Sequence, residues 1–179
     1  VAFFFPSYGV RDGVGRFFHS VKKIFVERSE MSKEEKELFL AQFKAENQSG
    51  GAILGVTGAN FAEGVDLPGD LLNGVVVVGL PLAKPDLKTQ EIIQYYEKKY
   101  GKGWDYGYTY PAIIKTIQNA GRCIRSEHDK GVIVFLDERY TWAQYQKCFP
   151  VDMVFETTKE YEKKIKEFFS QDTQSLKTP

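Results

Sequence analysis

The residues best equipped for chemistry are Gln118, Arg122 and Arg125, in the run Gln118-Asn119-Ala120-Gly121-Arg122-Cys123-Ile124-Arg125. On a helix, spacings of four and then three put these side chains on one face, while Ile113, Ile117, Ala120 and Ile124 share a neighbouring apolar one. Two guanidinium groups and an amide directed the same way offer planar donors of the kind phosphate recognition requires. Arg is also the residue that stabilises charge on a transferring phosphoryl group. Two arginines without that context would more simply pair with surface carboxylates. A second candidate is the glycine-rich loop from Gly58 to Gly69, which carries Glu63, Gly64 and Asp66 directly after an apolar run. Taken alone, such a loop is a turn. His19 and His128 have no carboxylate or Cys at metal-ligand spacing, and no Ser, Cys or Thr sits in a nucleophile-elbow pattern.

Short β-branched or aromatic runs alternate with longer charged segments of helical period, the mark of a parallel sheet flanked by helices, so the expected class is α/β. Buried strands are expected at Ala2 to Phe5, Ala52 to Val56, Gly74 to Leu80 and Gly131 to Leu136, with a shorter one at Ile24 to Glu27. Each leads into Gly, Pro, Asn or Asp, where an open α/β sheet places its functional loops. The capping box Ser32-Lys33-Glu34-Glu35 opens a helix to Ala45 with Leu38, Phe39 and Phe43 as its apolar stripe. A helix over Leu87 to Tyr100 turns Ile92, Ile93 and Tyr96 inward, and another covers Tyr110 to Ile124. Thr157 to Glu160 offers a second capping box before a charged helix with Tyr161, Ile165 and Phe168 on one face. One domain is expected over residues 1–170, followed by a frayed, disordered tail over 171–179.

Of the 179 residues, 42% are hydrophobic and 27% charged, which excludes disordered and fibrous classes. Lys plus Arg and Asp plus Glu both number 24, so any basic surface must be local. Cys123 and Cys148 are too few and too far apart for a zinc or iron–sulfur site within this chain, and reduced thiols are the expectation. No apolar run reaches membrane-spanning length, so no membrane partner is expected; the compartment is cytoplasmic for a prokaryotic source and nuclear for a eukaryotic one. Val1 opens directly into Ala2-Phe3-Phe4-Phe5, as expected of a strand cut from a longer chain.

Three segments together carry a family resemblance. Gln118 to Arg125 matches Q-x-x-G-R-x-x-R, and continues through Asp129-Lys130-Gly131 to Asp137-Glu138-Arg139. This resembles motif VI and the following stretch of superfamily 2 helicases of the XPD/Rad3/DinG group. Glu63-Gly64-Val65-Asp66 resembles motif V, in the correct order and at a suitable distance, and Phe3-Phe4-Phe5-Pro6-Ser7-Tyr8 resembles motif IV. The resemblance implies the second RecA-like motor domain of an ATP-dependent 5′ to 3′ DNA helicase, acting in DNA repair. Arg122 and Arg125 would be arginine fingers, with Gln118, Gly121, Glu63, Gly64 and Asp66 on the nucleotide side. Ser7, Tyr8, Arg11, Thr57 and Asn60, with the backbone amides of residues 58–60, would face single-stranded DNA. The family often carries Lys or Arg where Asn60 stands, which removes a charge contact there. Tyr8 either faces DNA or packs under the first helix. The aromatic run Trp104 to Tyr110 suits base stacking, although such clusters more often plug a core.

No G-x-x-x-x-G-K-[ST] or D-E-x-H string occurs. ATP and Mg²⁺ would then be shared with a first RecA-like domain outside this chain, and this domain alone would not hydrolyse ATP. The resemblance also allows a [4Fe-4S] cluster in that outside part and repair proteins as further partners. Two other readings are a DinG- or FancJ-like motor and a RecA-like scaffold without a motor. The DEAD-box alternative fits less well, because those proteins usually carry HRxGRxxR.

Overall fold

The expected alternation is realised as a five-stranded, all-parallel sheet of order β2-β3-β1-β4-β5. The computed structural model describes residues 1–19, 22–61, 71–82, 84–124 and 129–170. The strands are β1 (Ala2–Phe5), β2 (Lys23–Val26), β3 (Gly51–Val56), β4 (Gly74–Val78) and β5 (Val132–Leu136). They match the expected runs to within a residue or two at their ends. β4 stops before Gly79, whose φ of +73° breaks the strand. β2 ends one residue before Glu27, although the Glu27 amide still donates to the Leu54 carbonyl at 3.0 Å.

The helices of this unit are α1 (Tyr8–Gly15), α2 (Lys33–Ala45), α3 (Leu87–Tyr100), α4 (Tyr110–Ala120) and the short α5 (Ala143–Gln146). A π-helical turn over Asp105–Thr109 joins α3 to α4, and a 3₁₀ turn over Glu138–Thr141 follows β5. The Ser32 capping box forms: Ser32 Oγ accepts from the Glu35 amide at 3.2 Å and Glu35 Oε2 accepts from the Ser32 amide at 2.8 Å. Phe39, Leu40 and Phe43 of α2 then cover one sheet face with Phe4, Phe25, Ile53, Val75 and Val77. Side chains alternate across a strand, so Phe3 and Leu54 face the other way. There Phe3 meets Phe18, just beyond α1, edge-on at 4.9 Å.

Two expected helices differ. α3 half-buries Ile93 and Tyr96 but leaves Ile92 37% exposed, so only two of its three inward candidates turn in. α4 stops at Ala120 rather than Ile124. Its last turn tightens, with the Gly121 amide on the Ile117 carbonyl at 2.8 Å and the Arg122 amide on the Asn119 carbonyl at 3.2 Å. Cys123 then drops into the core, its Sγ 3.7 Å from the Ala120 carbonyl. Gly131 lies so close that a Cβ there would stand 3.1 Å from that sulfur. Burying Cys123 takes the chain off the helix axis, so the helix expected to carry Gln118 and Arg122 on one face ends before Arg122.

The chain comprises two compact units, Val1–Phe149 and Pro150–Pro179. Within the second, α6 (Tyr161–Ser170) carries charged pairs one turn apart, Lys163–Glu167 and Lys166–Glu162, each at 4.0 Å. The capping box expected from Thr157 is replaced by a shorter link in which Thr158 Oγ1 accepts from the Glu160 amide at 2.9 Å.

Candidate nucleotide and nucleic-acid interface

The carboxyl ends of β1, β2 and β3 meet at a buried acid that the sequence reading did not single out. Glu27 has no solvent exposure. Its Oε2 accepts from the Val56 amide at 2.7 Å and its Oε1 from the Asn60 amide at 2.6 Å, with the Tyr8 hydroxyl at 3.5 Å. A buried carboxyl group is costly unless its oxygens find donors, and here both do. Glu27 thereby fixes both ends of the turn from Val56 to Asn60. Its only sequence signal is a carboxylate closing an apolar strand.

Around that acid, Ser7 caps α1, its Oγ accepting from the Val10 amide at 3.3 Å. Arg11, expected to meet a phosphate, is instead only 7% exposed. Its guanidinium donates to the Glu27 carbonyl and to Asp12 Oδ1, at 2.9 Å through Nε and 2.6 Å through Nη2. It also lies 4.8 Å from the centre of the Tyr8 ring. Tyr8 is the first residue of α1 and half-buried, with its hydroxyl toward Glu27 and its ring beside Arg11. Burial and then the Glu27 carboxylate push the Tyr8 hydroxyl above its ordinary pKa.

On the next loop, Gly58 takes a φ of +75°, which a side chain would strain. The Ala59 amide donates to the Val56 carbonyl at 3.0 Å and the Asn60 amide to Glu27, so two of the three amides expected to face DNA are already engaged. The Asn60 side chain is also engaged, Nδ2 donating to the Arg28 carbonyl at 2.8 Å. Thr57 is half-buried, and its Oγ1 accepts from Asn119 Nδ2 at 3.1 Å. That bond joins the loop after β3 to the last turn of α4.

At the end of α4, Gln118 is exposed and Arg122 half-buried. Gly121 has ordinary helical φ, and a Cβ there would meet only carbonyls of its own helix, the nearest at 3.4 Å. The fold itself therefore places no demand for glycine here. Glu63, Gly64, Asp66 and Arg125 lie outside the described residues, as do His128 and the tail over 171–179.

The far side of the sheet end is braced by residues given no role in the sequence. Tyr140 donates to the Gly79 carbonyl at 2.9 Å and stands 3.3 Å from Thr116 Oγ1 on α4. Burial pushes its pKa up to about 12. Asp137 accepts from Arg139 through both oxygens, at 2.9 and 2.7 Å, and from the Leu80 amide at 3.1 Å. The Arg139 bond holds its carboxyl below the ordinary range. The aromatic run is largely packing: Tyr106 meets Tyr96 at 5.7 Å and stacks on Tyr110 at 5.6 Å, while Trp104 stays 59% exposed. Gly103 and Gly107 permit this, because a Cβ would come within 2.4 Å of the Ile93 carbonyl at one and 2.9 Å of Ile93 Cα at the other.

The model of the helicase C-terminal domain family matches residues 1–174. The chain belongs to that family. The relatives of this helicase domain include the 3′-5′ exonuclease DinG of Bacillus subtilis (strain 168), 38% identical over 60% of this chain and 11% of that protein. They also include the ATP-dependent DNA helicase XPD of Sulfolobus acidocaldarius, 30% identical over 80% of this chain and 26% of that protein. A solved chain described as "XPD_APO" superposes with a TM-score of 0.63 at 25% identity, over 82% of this chain and 30% of that one. The fold is thus the RecA-like α/β arrangement, and the helicase domain is of the XPD/Rad3 type.

The domain spans 11% of the first of these curated relatives and 26% of the second. Among the described residues, no group of three or more His, Cys, Asp or Glu is placed to hold a metal ion, and no helix is long and apolar enough to cross a membrane.

Proposed function

We propose that this helicase domain is the second motor domain of an ATP-dependent 5′ to 3′ DNA helicase working in DNA repair. ATP and Mg²⁺ would be shared with a first RecA-like domain. The observation that carries this reading is the bond between Asn119 and Thr57, which ties the Gln118–Arg122 segment to the loop after β3 at one end of the sheet. A motor needs such a junction, because phosphoryl transfer is catalysed by positioning and charge stabilisation and the result must reach the strand being moved.

In this reading Arg122 and Arg125 stabilise charge on the transferring phosphoryl group, and Gln118, Gly121, Glu63, Gly64 and Asp66 line the nucleotide side. Ser7 and Thr57 meet phosphates of single-stranded DNA at the strand ends, since hydroxyls are ordinary phosphate ligands. Arg11, Asn60 and Tyr8 leave that set, because their polar groups are engaged within the fold. With the nucleotide-binding motifs outside this chain, the domain alone does not turn over ATP.

The test is ATP hydrolysis by the full-length protein, with and without single-stranded DNA, beside an Arg122→Ala variant. DNA should stimulate the rate, and the variant should lower kcat by roughly 10³-fold with little change in DNA affinity. Hydrolysis that ignores DNA, or a variant with the wild-type rate, overturns the assignment.

A further inference from the structure

We propose that Asn119 is a positioning residue that sets the hydrogen-bond polarity of Thr57, holding its oxygen as an acceptor so that its one O–H proton is directed to a phosphate oxygen of the DNA strand. The inference rests on the reading above that the end of β3 faces single-stranded DNA, and adds a residue and a device that reading does not contain.

Asn119 is 1% exposed, on the face of α4 that also buries Ile113, Thr116 and Ala120. A carboxamide in such surroundings is costly unless bonded, and its nitrogen can only donate. The acceptor it reaches is Thr57 Oγ1, at 3.1 Å. A hydroxyl that accepts from an amide retains its own single proton for another partner. Thr57 is constrained elsewhere as well: its amide donates to the Phe5 carbonyl at 2.8 Å, and a β-branched side chain has few χ1 choices. The neighbouring amides of Ala59 and Asn60 are committed to the Val56 carbonyl and to Glu27. The hydroxyl is thereby fixed in place and left donor-competent at a turn whose amides are mostly used.

Asn119 also reaches the other side of the junction, its carbonyl accepting from the Arg122 amide at 3.2 Å. One residue thus connects the phosphate-directed arginine, through the backbone, to the strand-directed hydroxyl, through its side chain. A displacement of the last turn of α4 is transmitted to Thr57 through that one carboxamide.

The experiment is a double-mutant cycle on the full-length protein, reading the Kd for a fluorescein-labelled single-stranded oligonucleotide by anisotropy without nucleotide. Thr57→Val should weaken binding about tenfold, the ratio given by one hydrogen bond of about 1.4 kcal/mol. Asn119→Ala should weaken it in the wild-type background and have no further effect in the Thr57→Val background. Asn119→Asp, which offers an acceptor where the amide donated, should draw the Thr57 proton inward and weaken binding at least as much as Asn119→Ala. Because Thr57→Val and Asn119→Ala neither add nor remove a charge, the slope of log Kd against log salt should stay unchanged in those two variants and in their combination. Thermal melts on the same samples identify any variant that does not fold, and Asn119→Ser, smaller and uncharged, then takes its place in the cycle. Additive losses from Asn119→Ala and Thr57→Val overturn the positioning role while leaving the DNA-facing reading intact. Unchanged binding by Thr57→Val removes that reading at this contact, and the proposal with it.

Discussion

The Glu27 carboxylate accepts from the Val56 amide at 2.7 Å with no exposure to solvent, and through its other oxygen from the Asn60 amide at 2.6 Å. Glu27→Gln keeps the shape but turns an N–H₂ toward one of two backbone donors. Both partners are then donors and one amide is left buried without an acceptor. The expected cost is about 2–3 kcal/mol, seen as a lower urea midpoint with unchanged slope. A midpoint equal to wild type would show that the turn from Val56 to Asn60 holds its shape without the acid.

Tyr140 joins β4 to α4, donating to the Gly79 carbonyl and meeting Thr116 Oγ1, which itself donates to the Ala112 carbonyl at 3.0 Å. Tyr140→Phe removes the hydroxyl without emptying the ring's place beside Phe135 and Phe149. Thr116 keeps its helix partner, so the principal loss is at Gly79. About 1 kcal/mol of stability should go, measured by the same unfolding titration.

Asp137 supplies a pH-dependent term whose sign follows from the direction of its shift. Its carboxyl is held below the ordinary value, chiefly by Arg139. A depressed acid contributes stability above its unfolded pKa of about 3.9, and loses it as pH falls through the folded value. Asp137→Asn should therefore lower the melting temperature by a similar amount from pH 5 to pH 8, with the gap to wild type closing below about pH 4. Arg139 is about a third exposed, 34% for its side chain, so the gap at neutral pH should be about 1 kcal/mol or less. A gap that widens in acid would contradict the assignment.

Gly107 lets the π-helical turn lie against α3, since an added Cβ would stand 2.9 Å from Ile93 Cα and 3.0 Å from its amide nitrogen. Both are backbone atoms and cannot swing aside. Gly107→Ala should cost about 1–3 kcal/mol and alter the near-UV circular dichroism of the Tyr96, Tyr106 and Tyr110 cluster. An alanine variant as stable as the parent, with an unchanged aromatic spectrum, would mean that α3 and the turn are less closely apposed.

The strands were legible because Phe3 to Phe5, Ile53 to Val56 and Val75 to Val78 are near-continuous apolar runs bounded by Gly, Pro or Asn, as doubly covered parallel strands require. α2 was legible from the Ser32–Glu35 box and from Phe39 and Phe43, whereas Leu38 of the expected stripe stays 59% exposed and Leu40 packs in its stead. α1 was not, because Gly9, Gly13 and Gly15 make poor helix material. It forms because Ser7 caps it and Arg11 anchors it to Glu27. The end of α4 was missed for a related reason: helical spacing of Gln118, Arg122 and Arg125 says nothing of Cys123, whose burial turns the chain. At the site, residue types were readable but bonding states were not. Asn60 and Arg11 have the groups of phosphate ligands, and only their neighbours decide that those groups are bonded within the fold.

That distinction makes Arg11 the sharpest test of how the strand ends are used. Its guanidinium spans the Glu27 carbonyl, Asp12 and the Tyr8 ring, three partners that a point-like ammonium cannot serve together. Arg11→Lys should therefore lower stability by about 1–3 kcal/mol although the charge is kept. In the full-length protein, Arg11→Gln removes the charge, and a phosphate ligand lost this way would reduce the salt slope of single-strand binding by about 0.7. Because Arg11 is 7% exposed, the slope should instead be unchanged while the melting temperature falls. A reduced slope with wild-type stability would return Arg11 to the DNA surface and make the buried cluster around Glu27 a state that DNA binding opens.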